Sequence, residues 1–139
     1  MLKEIRGEYK NTPIYLHGRS LGTGIASALF STSKNLPKVE GLILETPYID
    51  IVSMAKAIIH IIPAFAIKVN LDNTILKSEL HRKILIIHGT EDEVIPFAHS
   101  SYLNQVFQQK VSFTKIPGGG HNNLSKYPSY WASLTAFLN

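Results

Sequence analysis

"IYLHGRSLGTGIASALF", residues 14–30, joins an apolar run to a glycine-rich turn and then to a helical pattern. Pro13 to Leu16, a short apolar run that leads to a glycine, suits a buried strand. Leu21 to Ser33 places Leu21, Ile25, Ala28 and Leu29 on one helical face, with Gly24 and Ala28 small enough for close packing on a sheet. Between strand and helix stands Ser20, flanked two residues away by Gly18 and Gly22. Two readings compete for it. One is a glycine turn whose helix N-terminus binds an anion. The other is a nucleophile on a strained strand-to-helix turn, where Gly18 and Gly22 permit close backbone approach because a Cβ would clash.

The same alternation continues along the chain. Residues 2–10 have Leu2, Ile5 and Tyr9 at helical spacing. Val39 to Leu44 is a second strand, followed by the turn "ETPYID", in which Pro47 keeps Thr46 out of helical geometry. Residues 51–62 read as a helix ending at Pro63, and "LDNTILKSEL" holds a helical turn capped by Asp72 or Asn73. Ile84 to His88, "ILIIH", is almost wholly apolar, as a strand covered on both faces should be. A helix over 97–109 has Pro96 at its first turn. Val111 to Ile116 is a fourth strand, and a last helix spans about 128–138. A helix followed by four strand–helix units predicts an α/β fold with a mainly parallel four-stranded sheet and right-handed crossovers. With no repeat or linker, residues 1–139 read as one domain.

Composition narrows the function. The 139 residues, 45% of them hydrophobic, suffice for a core. With no cysteine, disulfides and thiolate metal sites are excluded. The formal charge of +4 comes from 14 basic residues spread along the chain, so no nucleic-acid stripe is expected. "MLKEIRGEYK" is too charged for a signal peptide. "AIIHIIPAFAI", residues 57–67, is shorter than the roughly 20 residues of a membrane span and reads as a buried helix or a lid. A cytoplasmic location without membrane insertion fits. No histidine pair has helical metal-ligand spacing, and no phosphate loop or dinucleotide fingerprint occurs, so neither metal nor cofactor is expected. His17 and His88 sit at strand ends beside glycines, where a ring can bond to neighbouring loops. His60, His81 and His99 read as surface or helix residues.

Ligands of an open parallel sheet sit outside the carboxyl ends of its strands. Three such ends carry chemistry here. The first gives Ser20, the third gives Glu91, Asp92 and Glu93 in "HGTEDEVIP", and the fourth gives His121 in "PGGGHNN". Sequence alone does not choose among the three acids. Gly118, Gly119 and Gly120 let the His121 loop fold back over the sheet edge, and Asn122 and Asn123 are placed to orient the ring. The order serine, acid, histidine is that of an α/β-hydrolase triad.

The chain resembles the C-terminal part of an α/β-hydrolase serine hydrolase, of the bud-emergence and abhydrolase type that carries a GRSLG elbow. "IYLHGRSLGTGIASALF", "VEGLILETPYIDIVSMA", "ILIIHGTEDEVIPFAHS" and "IPGGGHNN" match in family order and cover nearly the whole chain. The resemblance implies Ser20 as nucleophile, His121 as general base, Asp92 as the acid that orients it, and the Leu21 N–H as one oxyanion donor. It implies cleavage of carboxylic esters or thioesters, some borne on acylated proteins. It also implies a truncated fold lacking the first four strands, and with them the loop that supplies the second oxyanion N–H. Loss of one such donor costs about 10²–10³ in kcat, so weakened turnover is expected. The alternative expectation is a silent or complementation-dependent half-domain. In either case the strand near Ile14 is a bare edge that invites a homo-oligomer or a partner chain.

Overall fold

The computed structural model describes residues 2–9, 11–32, 39–57 and 71–139. Four strands, β1 (Ile14–Arg19), β2 (Val39–Glu45), β3 (Lys83–Gly89) and β4 (Ser112–Ile116), form one sheet in the order β1-β2-β3-β4, with every neighbouring pair parallel. Helices α1 (Leu2–Glu8), α2 (Gly22–Thr32), α3 (Ile51–Ala57), α4 (Ala98–Val106) and α5 (Pro128–Leu138) alternate with them. The expected α/β sheet is thus present, strand for strand. The remainder of the expected 51–62 helix, its stop at Pro63, His60 and residues 64–70 lie outside the described residues.

Strand alternation sorts the core into two layers. Leu42, Leu44, Ile84 and Ile86 pack with Ala26 and Phe30 of α2, Leu76, and Leu103 of α4. Ile43, Leu85 and Ile87 point the other way, onto Tyr130 and Phe137 of α5. Both faces being covered, β2 and β3 are buried almost end to end, which is why they read as continuous apolar runs. Asp72 caps a 3-10 helix (Asn73–Glu79), its Oδ1 accepting from Thr74 N–H at 2.7 Å.

One expected face is overturned. Leu21 and Ile25 are exposed, at 41% and 57%, whereas Thr23, Gly24, Ala26, Ser27 and Phe30 are buried. The helix is turned by about one residue from its apolar stripe. The cause is polar. Thr23 and Ser27 find hydrogen-bond partners inside, so their burial costs little, and Gly24 lies against Tyr48 and Leu71, where a Cβ would not fit.

Among the described residues, no helix is long and apolar enough to cross a membrane.

Candidate active site

Ser20 directly follows β1 and has φ of 50°, a left-handed conformation uncommon for a residue with a side chain. Its N–H still donates to Glu45 O (3.0 Å), continuing the β1–β2 ladder. Its C=O accepts from both Thr23 N–H (3.0 Å) and Thr23 Oγ1 (2.7 Å). The turn is therefore pinned on both sides while its backbone is strained. Gly18 is required as expected: a Cβ there would come within 2.5 Å of Gly22 O and 2.8 Å of Ala26 Cβ. Gly22 is not. A Cβ on it would meet nothing within 4 Å, so its expected steric role is corrected to that of an ordinary first helical residue. Leu21 N–H stands at the start of α2, where the first donors of a helix lack intrahelical acceptors.

Of the three acids after β3, Glu91 and Glu93 are exposed and Asp92 is buried. Asp92 Oδ1 accepts from Val94 N–H (2.9 Å) and Ile95 N–H (2.7 Å). Its Oδ2 lies 2.8 Å from His121 Nδ1 and 3.2 Å from His88 Nε2. Burial pushes the Asp92 pKa up, but the hydrogen bonds from His88, Ile95, His121 and Val94 outweigh it and hold the carboxyl at about 2. An ionised carboxylate only accepts, so His121 Nδ1 carries a hydrogen, and in the neutral ring the lone pair then lies on Nε2.

The loop that bears His121 is fixed by backbone contact. Gly118 has φ of 73°, and Gly119 presses so closely on Gly89 that a Cβ on Gly89 would run into its backbone. Glu91 N–H donates to Gly119 O (2.9 Å) and Thr90 N–H to Ile116 O (3.0 Å), which tie the acid loop to the histidine loop. The asparagines act differently from expectation. Asn123 Oδ1 accepts from Gly120 N–H and Asn122 Oδ1 accepts from Arg19, while the ring itself is oriented by Asp92.

The structure thus joins Asp92 to His121 directly. Among the described residues no hydrogen bond runs from Ser20 Oγ to His121, and catalytic bonds of this kind often tighten only when substrate is bound. The two loops meet through Arg19 instead, whose Nη2 donates to His121 O and to Asn122 Oδ1, each at 2.7 Å.

Sequence reading missed the part that Asn73 plays, whereas the expected bonding of His88 to a neighbouring loop is present. Asn73 is fully buried behind the Ser20 turn. Its Nδ2 donates to Thr23 Oγ1 (3.1 Å) and Tyr48 O (2.7 Å), and its Oδ1 accepts from Ser27 Oγ (2.6 Å). A polar residue in an ambiguous helical turn gives no sign of this. His88, fully buried, bonds Ser100 Oγ through Nδ1 and Ile95 O (2.9 Å) through Nε2. A carbonyl only accepts, so Nε2 bears the hydrogen that Asp92 shares. Its place beside the glycine at a strand end was the available signal.

No family model matches the chain. It is 30% identical over 137 residues to alpha/beta hydrolase domain-containing protein 17C of Xenopus tropicalis, a match covering 97% of this chain and 42% of that protein. To the human alpha/beta hydrolase domain-containing protein 17B it is 40% identical over 62 residues, or 45% of this chain and 22% of that protein. The chain thus spans less than half the length of these curated relatives. Among solved structures, an esterase from Pyrococcus furiosus superposes with a TM-score of 0.73 at 14% identity, covering 98% of this chain and 57% of that one. An alpha-beta serine hydrolase homologue from Coxiella burnetii gives 0.63 at 19% identity, covering 99% and 53%. Strand order, the strained Ser20 turn and these likenesses agree: the chain has an α/β-hydrolase fold and is similar in sequence to part of the α/β-hydrolase domain-containing proteins.

Proposed function

We propose that the chain carries the site of a serine hydrolase that cleaves carboxylic esters or thioesters through an acyl-enzyme on Ser20. The observation that carries this reading is the Asp92–His121 pair at 2.8 Å, which leaves the Nε2 lone pair free. Ser20 Oγ gives its proton to that nitrogen and attacks the acyl carbon. The Leu21 N–H donates to the oxygen that becomes negative. The imidazolium, stabilised by Asp92, returns the proton to the leaving alcohol or thiol. Water then repeats the sequence on the acyl-enzyme and releases the acid.

A fluorophosphonate probe followed by intact-mass analysis tests this. A single adduct is expected on the wild-type chain and none on Ser20→Ala. No adduct on wild type, or equal labelling of both, would overturn it. Paired p-nitrophenyl ester and acyl-thioester substrates then separate the two substrate classes.

A further inference from the structure

We propose that Arg19 is a positioning residue whose guanidinium, anchored on buried Glu45, locks the Ser20 turn to the His121 loop. The proposal rests on the serine hydrolase reading for its catalytic consequence, though not for the geometry.

The anchor is built from strand register. Arg19 lies opposite Glu45 across β1 and β2. His17 and Arg19, two residues apart, share one face of β1, and both reach the same carboxylate. Glu45 Oε1 lies 3.2 Å from Arg19 Nε, while Oε2 takes His17 Nε2 (3.2 Å) and Tyr130 OH (2.9 Å) from α5. Burial pushes the Glu45 pKa up, but the hydrogen bonds of His17 and Tyr130 and the charges of His17 and Arg19 outweigh it. The carboxylate is therefore a fixed anion, and burial together with Glu45 raises Tyr130 to about 12, so its hydroxyl stays a donor.

From that anchor the planar fork reaches outward. Nε is committed to Glu45, and Nη2 to His121 O and Asn122 Oδ1. These two acceptors belong to the residue that would act as base and to its neighbour. The residue that supplies the donors precedes the nucleophile. One rigid group thus spans the two loops that the reaction requires in register. Lysine offers a point charge and cannot serve both ends with fixed angles. The Arg19 side chain is 46% exposed, so its loss need not disturb the core.

The experiment compares wild type with Arg19→Met, which keeps the stem, and Arg19→Lys, which keeps the charge. Proton NMR of histidine-15N protein reads the downfield Nδ1–H of His121, assigned by its loss in His121→Gln. That signal is expected to broaden or vanish in Arg19→Met and to recover only partly in Arg19→Lys, with melting temperature little changed. On a p-nitrophenyl ester, kcat is expected to fall about 10- to 100-fold at nearly constant KM, as for a misplaced base. An unaltered His121 signal in Arg19→Met overturns the proposal whether or not the protein turns over. Absence of a fluorophosphonate adduct on wild type overturns the hydrolase reading instead. A signal lost together with cooperative unfolding would assign Arg19 to stability and also overturn the proposal.

Discussion

Asp92 concentrates four donors on one carboxylate: two backbone N–H groups and two histidine rings. The sequence offers three acids in a row, and nothing in their spacing separates them. The separation comes from the turn after β3, in which Asp92 caps the Val94 and Ile95 amides and so must face inward. Asp92→Asn leaves the shape but lets the amide donate towards His121, reversing the tautomer that the proposed mechanism requires. A loss of about 10⁴ in kcat is expected on a p-nitrophenyl ester. The same residue is expected to contribute to stability in acid. Its folded pKa lies near 2, below that of an unfolded aspartate, so its contribution is full above about pH 4 and is lost as pH falls through 2. A shift of this size contributes roughly 2–3 kcal/mol at neutral pH. Urea midpoints measured between pH 6 and pH 2.5 should fall more steeply for wild type than for Asp92→Asn. Parallel slopes would show that Asp92 does not carry the acid dependence.

At the level of elements, strands were the legible part. β2 and β3 are apolar on both faces and sit between helices, so "LIL" and "ILII" admit few other readings. The orientation of α2 was not legible, because its buried face carries Thr23 and Ser27 and its exposed face carries Leu21 and Ile25. Hydrophobic periodicity weighs only transfer from water. It has no term for hydroxyls whose partners arrive from a segment 46 to 50 residues away. Asn73 is that partner, and it links α2 to the turn after β2 through Tyr48 O. Asn73→Ala would leave the Ser27 and Thr23 hydroxyls and the Tyr48 carbonyl short of a partner in a buried place. A loss of about 1–3 kcal/mol is expected, read as a lowered urea midpoint. The Ser20 C=O retains the Thr23 N–H, so fluorophosphonate labelling should slow rather than stop. A variant as stable as wild type would mean that the network closes without Asn73.

The whole sheet ends on β1, whose strand neighbour among the described residues is β2. Ile14, Tyr15 and Leu16 are only half-buried, in contrast with β2. Their side chains are nonetheless occupied: Ile14 and Leu16 face the α2 layer, and Tyr15 meets Phe137 edge-on at 5.8 Å. Among the described residues, what stands open is the backbone. Ser20 N–H points to β2, and donors along a parallel strand alternate sides, so Gly18 and Leu16 also face β2, while Arg19, His17 and Tyr15 direct their N–H groups outward. We propose that a second copy of β1 pairs here antiparallel about a two-fold axis, an arrangement in which each edge supplies what the other lacks. Tyr15→Pro removes one outward donor and spares the ladder to β2, as proline does on an edge strand. Light scattering at micromolar concentration should give a dimer for wild type and a folded monomer for Tyr15→Pro, with Tyr15→Phe remaining dimeric. A monomeric wild type, or a Tyr15→Pro dimer of unchanged affinity, would leave this edge without a role in assembly.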